Sequence, residues 1–189
     1  MNLSNTGGMY GREGAFFSNL PYGFENNVWI ELIGFDNTKN DFGVKDLVDT
    51  MGFKPNALFL LVTSIDIINT HKGLTFEYEL DPYFCSYVGH PYNDERKRQR
   101  WTNIQLKGLV DTLNNEGIKS YISIFDYTSP KKEFDHPELF TSLWSDGNEE
   151  ILPCIYMTRR LADGSFYEDF FTSKSVEFLT DYGFYGIHL

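Results

Sequence analysis

The sequence predicts an α/β domain in which short strands alternate with helices around a parallel sheet. Two observations carry this expectation. Three amphipathic helical segments each run into a glycine, and each is followed within a few residues by a short apolar strand. The chain has 189 residues, 41% of them hydrophobic and 23% charged, which is enough apolar material for a sizeable core in one domain or part of one.

The elements follow in order. Val28-Trp29-Ile30-Glu31-Leu32-Ile33 reads as the first strand. Val44, Leu47, Val48 and Met51 recur at helical spacing, Gly52 supplies a left-handed cap, and Ala57-Leu58-Phe59-Leu60-Leu61-Val62 follows as a buried strand. Leu106, Leu109, Val110 and Leu113 repeat the helical spacing, Gly117 ends it, and Tyr121-Ile122-Ser123-Ile124-Phe125 is the third strand. Val176, Leu179 and Tyr182 mark the last helix, stopped by Gly183 before Tyr185-Gly186-Ile187-His188-Leu189.

Strands joined through helices call for parallel pairing and right-handed crossovers. An open doubly wound sheet and a barrel both satisfy that pattern. Four strand-helix units are half of the eight that close a (β/α)8 TIM barrel of roughly 250 residues, and the sequence stops within the fourth strand. Residues 20–189 are therefore read as the N-terminal half of such a barrel, with about four parallel strands and covering helices.

Two long inserts follow strands and would lie on the carboxyl-terminal face, where barrels build their sites. The first, near 64–100, contains Leu74-Thr75-Phe76-Glu77-Tyr78-Glu79-Leu80, whose period of two predicts a half-buried strand. The second, near 127–172, carries Ile155-Tyr156-Met157 and Phe166-Tyr167-Glu168 around Ala162-Asp163-Gly164, a hairpin signal. Residues 1–19 form a Gly-rich arm without the Lys-Ser/Thr of a phosphate loop.

Composition narrows the function. The formal net charge of −11 repels phosphate backbones, so no nucleic-acid partner is expected. The longest apolar run, Ala57 to Val62, is far below the roughly 20 residues of a membrane span, so no membrane partner is expected either. The N-terminus shows no secretory signal, which leaves a cytoplasmic site or a removed signal open. Cys85 and Cys154 fit two reduced thiols better than a disulfide framework, and neither has a Cys or His at zinc-ligand spacing. Serine-nucleophile elbows, zinc-protease helices and Cys-x-x-Cys pairs are absent, so the motifs imply no cofactor and no metal.

Candidate contacts come from strand ends and from aromatic residues in the first insert. Asp36 follows strand one, Asp66 follows strand two, Tyr127 closes strand three and His188 lies in strand four. Sugar rings stack on aromatic faces while neighbouring polar groups hold the hydroxyls, and Tyr92 and Trp101 are the platform candidates; the alternative is that these rings pack the insert. Glu95-Arg96-Lys97-Arg98-Gln99-Arg100 reads as the solvated start of the helix holding Leu106, with Asp94 as a possible cap. Asp135-His136-Pro137-Glu138 reads as a helix entry.

Two stretches carry a resemblance. Leu106 to Phe125, with Gly117-Ile118-Lys119 between helix and strand, and Asp181-Tyr182-Gly183-Phe184-Tyr185-Gly186-Ile187-His188-Leu189 resemble strand entries of the (β/α)8-barrel glycoside hydrolases, loosely the α-amylase-like branch. The resemblance implies a carbohydrate substrate and action on glycosidic bonds of an oligo- or polysaccharide. It also implies that the catalytic carboxylate pair lies beyond Leu189, leaving this chain to supply substrate contacts. His188 matches a basic residue of the family there; a buried, hydrogen-bonded histidine is the other reading. The alternative function is a non-catalytic carbohydrate-binding or assembly protein that completes its half barrel by self-association through open sheet edges.

Overall fold

Each parallel pair must be closed by a return through a helix, and the chain does this three times. The computed structural model describes residues 26–62, 64–82, 100–124, 136–145 and 148–188. Strands β1 (Asn27–Glu31), β2 (Ala57–Val62), β3 (Lys119–Ile124) and β6 (Gly186–His188) form an all-parallel sheet in the order β1-β2-β3-β6. Helices α1 (Val44–Met51), α3 (Asn103–Asn115) and α4 (Tyr167–Tyr182) make the crossovers, and a short helix α2 (Asp66–Asn69) follows β2. A separate antiparallel pair, β4 (Phe140–Ser145) and β5 (Asn148–Ile155), lies between β3 and α4 in the chain. The α/β class and the four parallel strands agree with the sequence.

Strand alternation divides the sheet into two faces. On one, Leu58, Leu60, Val62, Ile122 and Ile124 are buried and join Leu106, Leu109, Val110 and Leu113 of α3 and Phe178 and Tyr182 of α4 in the core. The four α3 positions are those read from helical spacing. Ser120 belongs to this face too, and its hydroxyl donates to Asn114 Oδ1 at 3.1 Å. Opposite lie Trp29, Phe59 and Tyr121, aligned by the register Trp29↔Phe59↔Tyr121↔Gly186.

Glycine ends the crossover helices where left-handed backbone is needed. Gly52 (φ 71°) donates its N–H to Val48 O at 3.0 Å, and Gly183 (φ 79°) to Leu179 O at 2.8 Å. At its other end α3 is closed by a reciprocal cap: Gln105 N donates to Thr102 Oγ1 at 3.2 Å and Thr102 N to Gln105 Oε1 at 3.0 Å. The cap is thus Thr102, and the basic run does not open the helix; Arg100 precedes it, while Asp94 and residues 95–99 lie outside the described residues.

The structure corrects three further expectations. The 74–80 segment is not a strand: it makes one isolated bridge, Glu79↔Thr102, and Phe76, which the alternation places inward, is 53% exposed. That bridge is made at the entry to α3, where Leu80 N donates to Trp101 O at 2.8 Å and Asn103 N to Tyr78 O at 3.0 Å. Helix α4 starts at Tyr167, inside the stretch assigned to the second insert, and buries Tyr167, Phe171, Ser175, Phe178 and Tyr182. Val176 is 59% exposed, because three apolar residues were too few to fix the helical phase. Around Ala162-Asp163-Gly164 only one bridge forms, Arg160↔Phe166, and the longer hairpin is β4–β5, whose strands are joined by Asp146-Gly147. The helix entry at His136 is a single 3-10 turn, Pro137–Leu139.

Asn103 ties the first insert to the helical layer. Fully buried, it accepts from Tyr78 N at 2.9 Å through Oδ1 and donates through Nδ2 to Phe76 O at 2.8 Å and Gly73 O at 3.2 Å. Asn103→Ala removes all three bonds to partly buried backbone groups, an expected loss of about 2 kcal/mol. Ser175 gives the contrast, because its buried hydroxyl has no hydrogen-bond partner among the described residues. Ser175→Ala is expected to stabilise by up to about 1 kcal/mol through helix propensity and loss of an unsatisfied polar group. Urea unfolding of the two variants checks both signs.

Candidate functional site

The carboxyl ends of parallel strands gather loops and oriented backbone groups, so the site is built outward from the last residues of β1, β2, β3 and β6. On the face away from the helices the third residue of β1, β2 and β3 is aromatic, and in-register pairing turns that coincidence into a row. Trp29 and Phe59 stack with centroids 4.7 Å apart and planes 17° apart; Phe59 and Tyr121 stack at 4.9 Å and 14°. Gly186 completes the register, and a Cβ there would meet the Tyr121 ring at 3.4 Å. Trp29 is 47% exposed at the end of the row.

One pleat further toward the carboxyl ends runs the row Glu31↔Leu61↔Ser123↔His188. The buried Ser123 hydroxyl lies 2.8 Å from His188 Nδ1. With the hydroxyl donating to Nδ1, the ring proton of His188 sits on Nε2. The imidazole meets the aromatic row edge-on, 5.4 Å from Phe59 and 6.1 Å from Trp29. His188 thus joins a polar pair to an aromatic surface, half-buried and hydrogen-bonded.

Beyond β2 a buried polar group surrounds Asp66. Asp66 N donates to Ser64 Oγ at 3.1 Å, Asn69 Nδ2 donates to Asp66 Oδ1 at 3.3 Å, and the Tyr167 hydroxyl donates to Asn69 Oδ1 at 2.8 Å. Burial raises the Tyr167 phenol above its ordinary range; the Asn69 hydrogen bond opposes this and the Asp66 charge adds to it. Tyr167 therefore remains a hydrogen-bond donor at neutral pH, anchoring the first turn of α4 to α2.

The remaining sequence candidates separate. Asp36 closes its own turn, accepting from Thr38 N at 2.9 Å and Thr38 Oγ1 at 2.5 Å. Trp101 is fully buried in the core beside Phe42, its ring 5.9 Å from that ring, so here its faces pack rather than present a platform. Tyr92 and Tyr127 lie outside the described residues, as does Cys85. Sequence reading missed Trp29, Phe59 and Tyr121, although the signal was present: Val-Trp-Ile, Leu-Phe-Leu and Ser-Tyr-Ile place one aromatic residue at the same step of three strands.

The Thr38 side chain and then its amide lower the Asp36 carboxyl below its ordinary value. A lowered folded value means that the turn's contribution is complete above the unfolded value, near pH 4. It is lost as pH falls through the folded value. The Thr38 amide resonance is expected to titrate below about pH 4, and to stop doing so in Asp36→Asn, as read by NMR.

Comparisons of the chain with protein-family models, with curated proteins and with solved structures gave no match.

Proposed function

We propose that this chain is the N-terminal half of a (β/α)8 barrel of glycoside-hydrolase type, binding an oligo- or polysaccharide at the carboxyl-terminal rim of its strands, beside His188 and Trp29. The observation that supports it is the strand order β1-β2-β3-β6, which follows the chain without reversal. With right-handed crossovers, an unreversed order places every crossover helix on one face, as in a barrel wall; doubly wound sheets reverse direction and carry helices on both.

In a closed barrel the free side of such a wall turns inward, so a sugar would lie at its carboxyl-terminal rim. Trp29 offers a partly exposed aromatic surface, and one pleat away stands the half-buried His188 imidazole, oriented by the buried Ser123 hydroxyl. Hydrolysis with retention needs two carboxylates about 5 to 5.5 Å apart. On this reading those come from the other half of the barrel, and the present half supplies subsites.

A second reading has a specific observation behind it. Among the described residues, strands β1 and β6 are the two ends of the sheet, each paired on one side within it, and such edges favour pairing with another chain. Titration of the full chain with linear gluco-, manno- and xylo-oligosaccharides, followed by calorimetry and a reducing-end assay, separates the readings. Saturable binding without bond cleavage is expected, weakened about tenfold in Trp29→Ala through loss of one stacked ring. A sugar-blind chain that elutes as a symmetric dimer would instead support assembly.

A further inference from the structure

On the helix-covered side of the sheet, away from Ser123 and His188, a second group of side chains converges. Glu177 and Asp181 are four residues apart on α4 and so share a helical face. His71, two residues beyond α2, meets them: its Nε2 lies 2.8 Å from Asp181 Oδ2. One ligand atom from each of His71, Glu177 and Asp181 lies within 4.8 Å of the others. Bonds of about 2.0 to 2.2 Å around one cation put neighbouring ligand atoms roughly 3 to 3.5 Å apart. A small side-chain closure therefore suffices.

The imidazole separates this cluster from an acidic surface patch. Its side chain is 1% exposed, against 32% for Asp181, and it is walled by the rings of Phe178 at 5.3 Å and Tyr182 at 5.2 Å. On its far side the Tyr78 hydroxyl lies 3.3 Å from Nδ1, and that hydroxyl also accepts Lys72 N–H at 3.2 Å. The ring is thereby held with Nε2 aimed at the carboxylates, the outer-shell orientation typical of metal-binding histidines. Without a cation, the Tyr78 hydroxyl donates to Nδ1 and Nε2–H donates to Asp181. With one, Nε2 would give its lone pair to the metal, with the ring proton on Nδ1 facing the Tyr78 oxygen.

We propose that His71, Glu177 and Asp181 bind a divalent transition cation, zinc being the best match to one imidazole and two carboxylates, with water completing the shell. Its role is to clamp the segment after α2 onto α4, and it does not depend on the carbohydrate reading. The competitor is Lys174, whose Nζ contacts Glu177 Oε1 at 3.1 Å and Oε2 at 2.9 Å. Such an exposed i,i+3 pair contributes little and yields to a divalent ion.

The test is zinc chloride titration of the tag-free full chain, by calorimetry and thermal unfolding. Binding of one zinc per chain with a raised melting temperature is expected. Glu177→Gln and Asp181→Asn should each weaken it about tenfold or more, and Lys174→Gln should tighten it several-fold. Circular dichroism establishes that the variants are folded; Glu177 and Lys174 lie on the outer side of α4, so those two variants decide the matter should Asp181→Asn fail to fold. Absence of saturable zinc binding overturns the proposal. So does affinity unchanged in Glu177→Gln, or tighter binding of calcium or magnesium than of zinc, which would leave the imidazole outside the shell.

Discussion

Unreversed parallel pairing is the constraint on which the rest of the structure depends. Once β2 lies parallel to β1 and β3 parallel to β2 on the same side, the chain must travel back along the sheet before every strand. Those returns supply α1, α3 and α4, and right-handed crossover directs them to one face. Core and site then follow from the same choice. The residues that alternate toward the helices, such as Leu58, Leu60, Ile122 and Ile124, are buried with them. The residues that alternate away are left to form the aromatic row and the Ser123–His188 pair.

Local periodicity made much of this legible, and its limits are equally local. The α3 face emerged correctly because Leu106, Leu109, Val110 and Leu113 give four points on one helical stripe and all four are buried. The α4 face did not, because its inward positions are mostly aromatic and one is a serine, so three aliphatic or aromatic letters near the C-terminus fixed neither start nor phase. Residues 74–80 alternate as a strand does, yet their backbone groups are claimed by Trp101 and Asn103, and that competition is invisible without the long-range contact. The β4–β5 hairpin does have a local signal, the Asp146-Gly147 turn pair in the sequence between its strands.

For the site, single residues were less informative than their register. Asp36 and Asp66 both lie just after strands in the sequence, yet Asp36 serves its own turn and Asp66 belongs to a buried network with Asn69. Trp101 has the chemistry of a platform, which burial denies it in this structure. The neighbours of His188, namely Ser123, Phe59 and Trp29, come from three other strands, none within 60 residues of it in the sequence. Only pairing of the strands brings such groups together, which is why composition and spacing name them poorly.

The aromatic row also bears on how the chain finds its pairing. A slip of one residue between β1 and β2 would turn Trp29 toward the wrong side of its neighbour, and a slip of two would set it beside Ala57 or Leu61 in place of Phe59. Aliphatic strands rich in leucine tolerate such shifts, since one leucine replaces another at little loss. Three large rings that stack only at a single offset do not. The row therefore acts as a vernier for strands brought together from distant parts of the chain, making the correct alignment energetically distinct from its slipped neighbours.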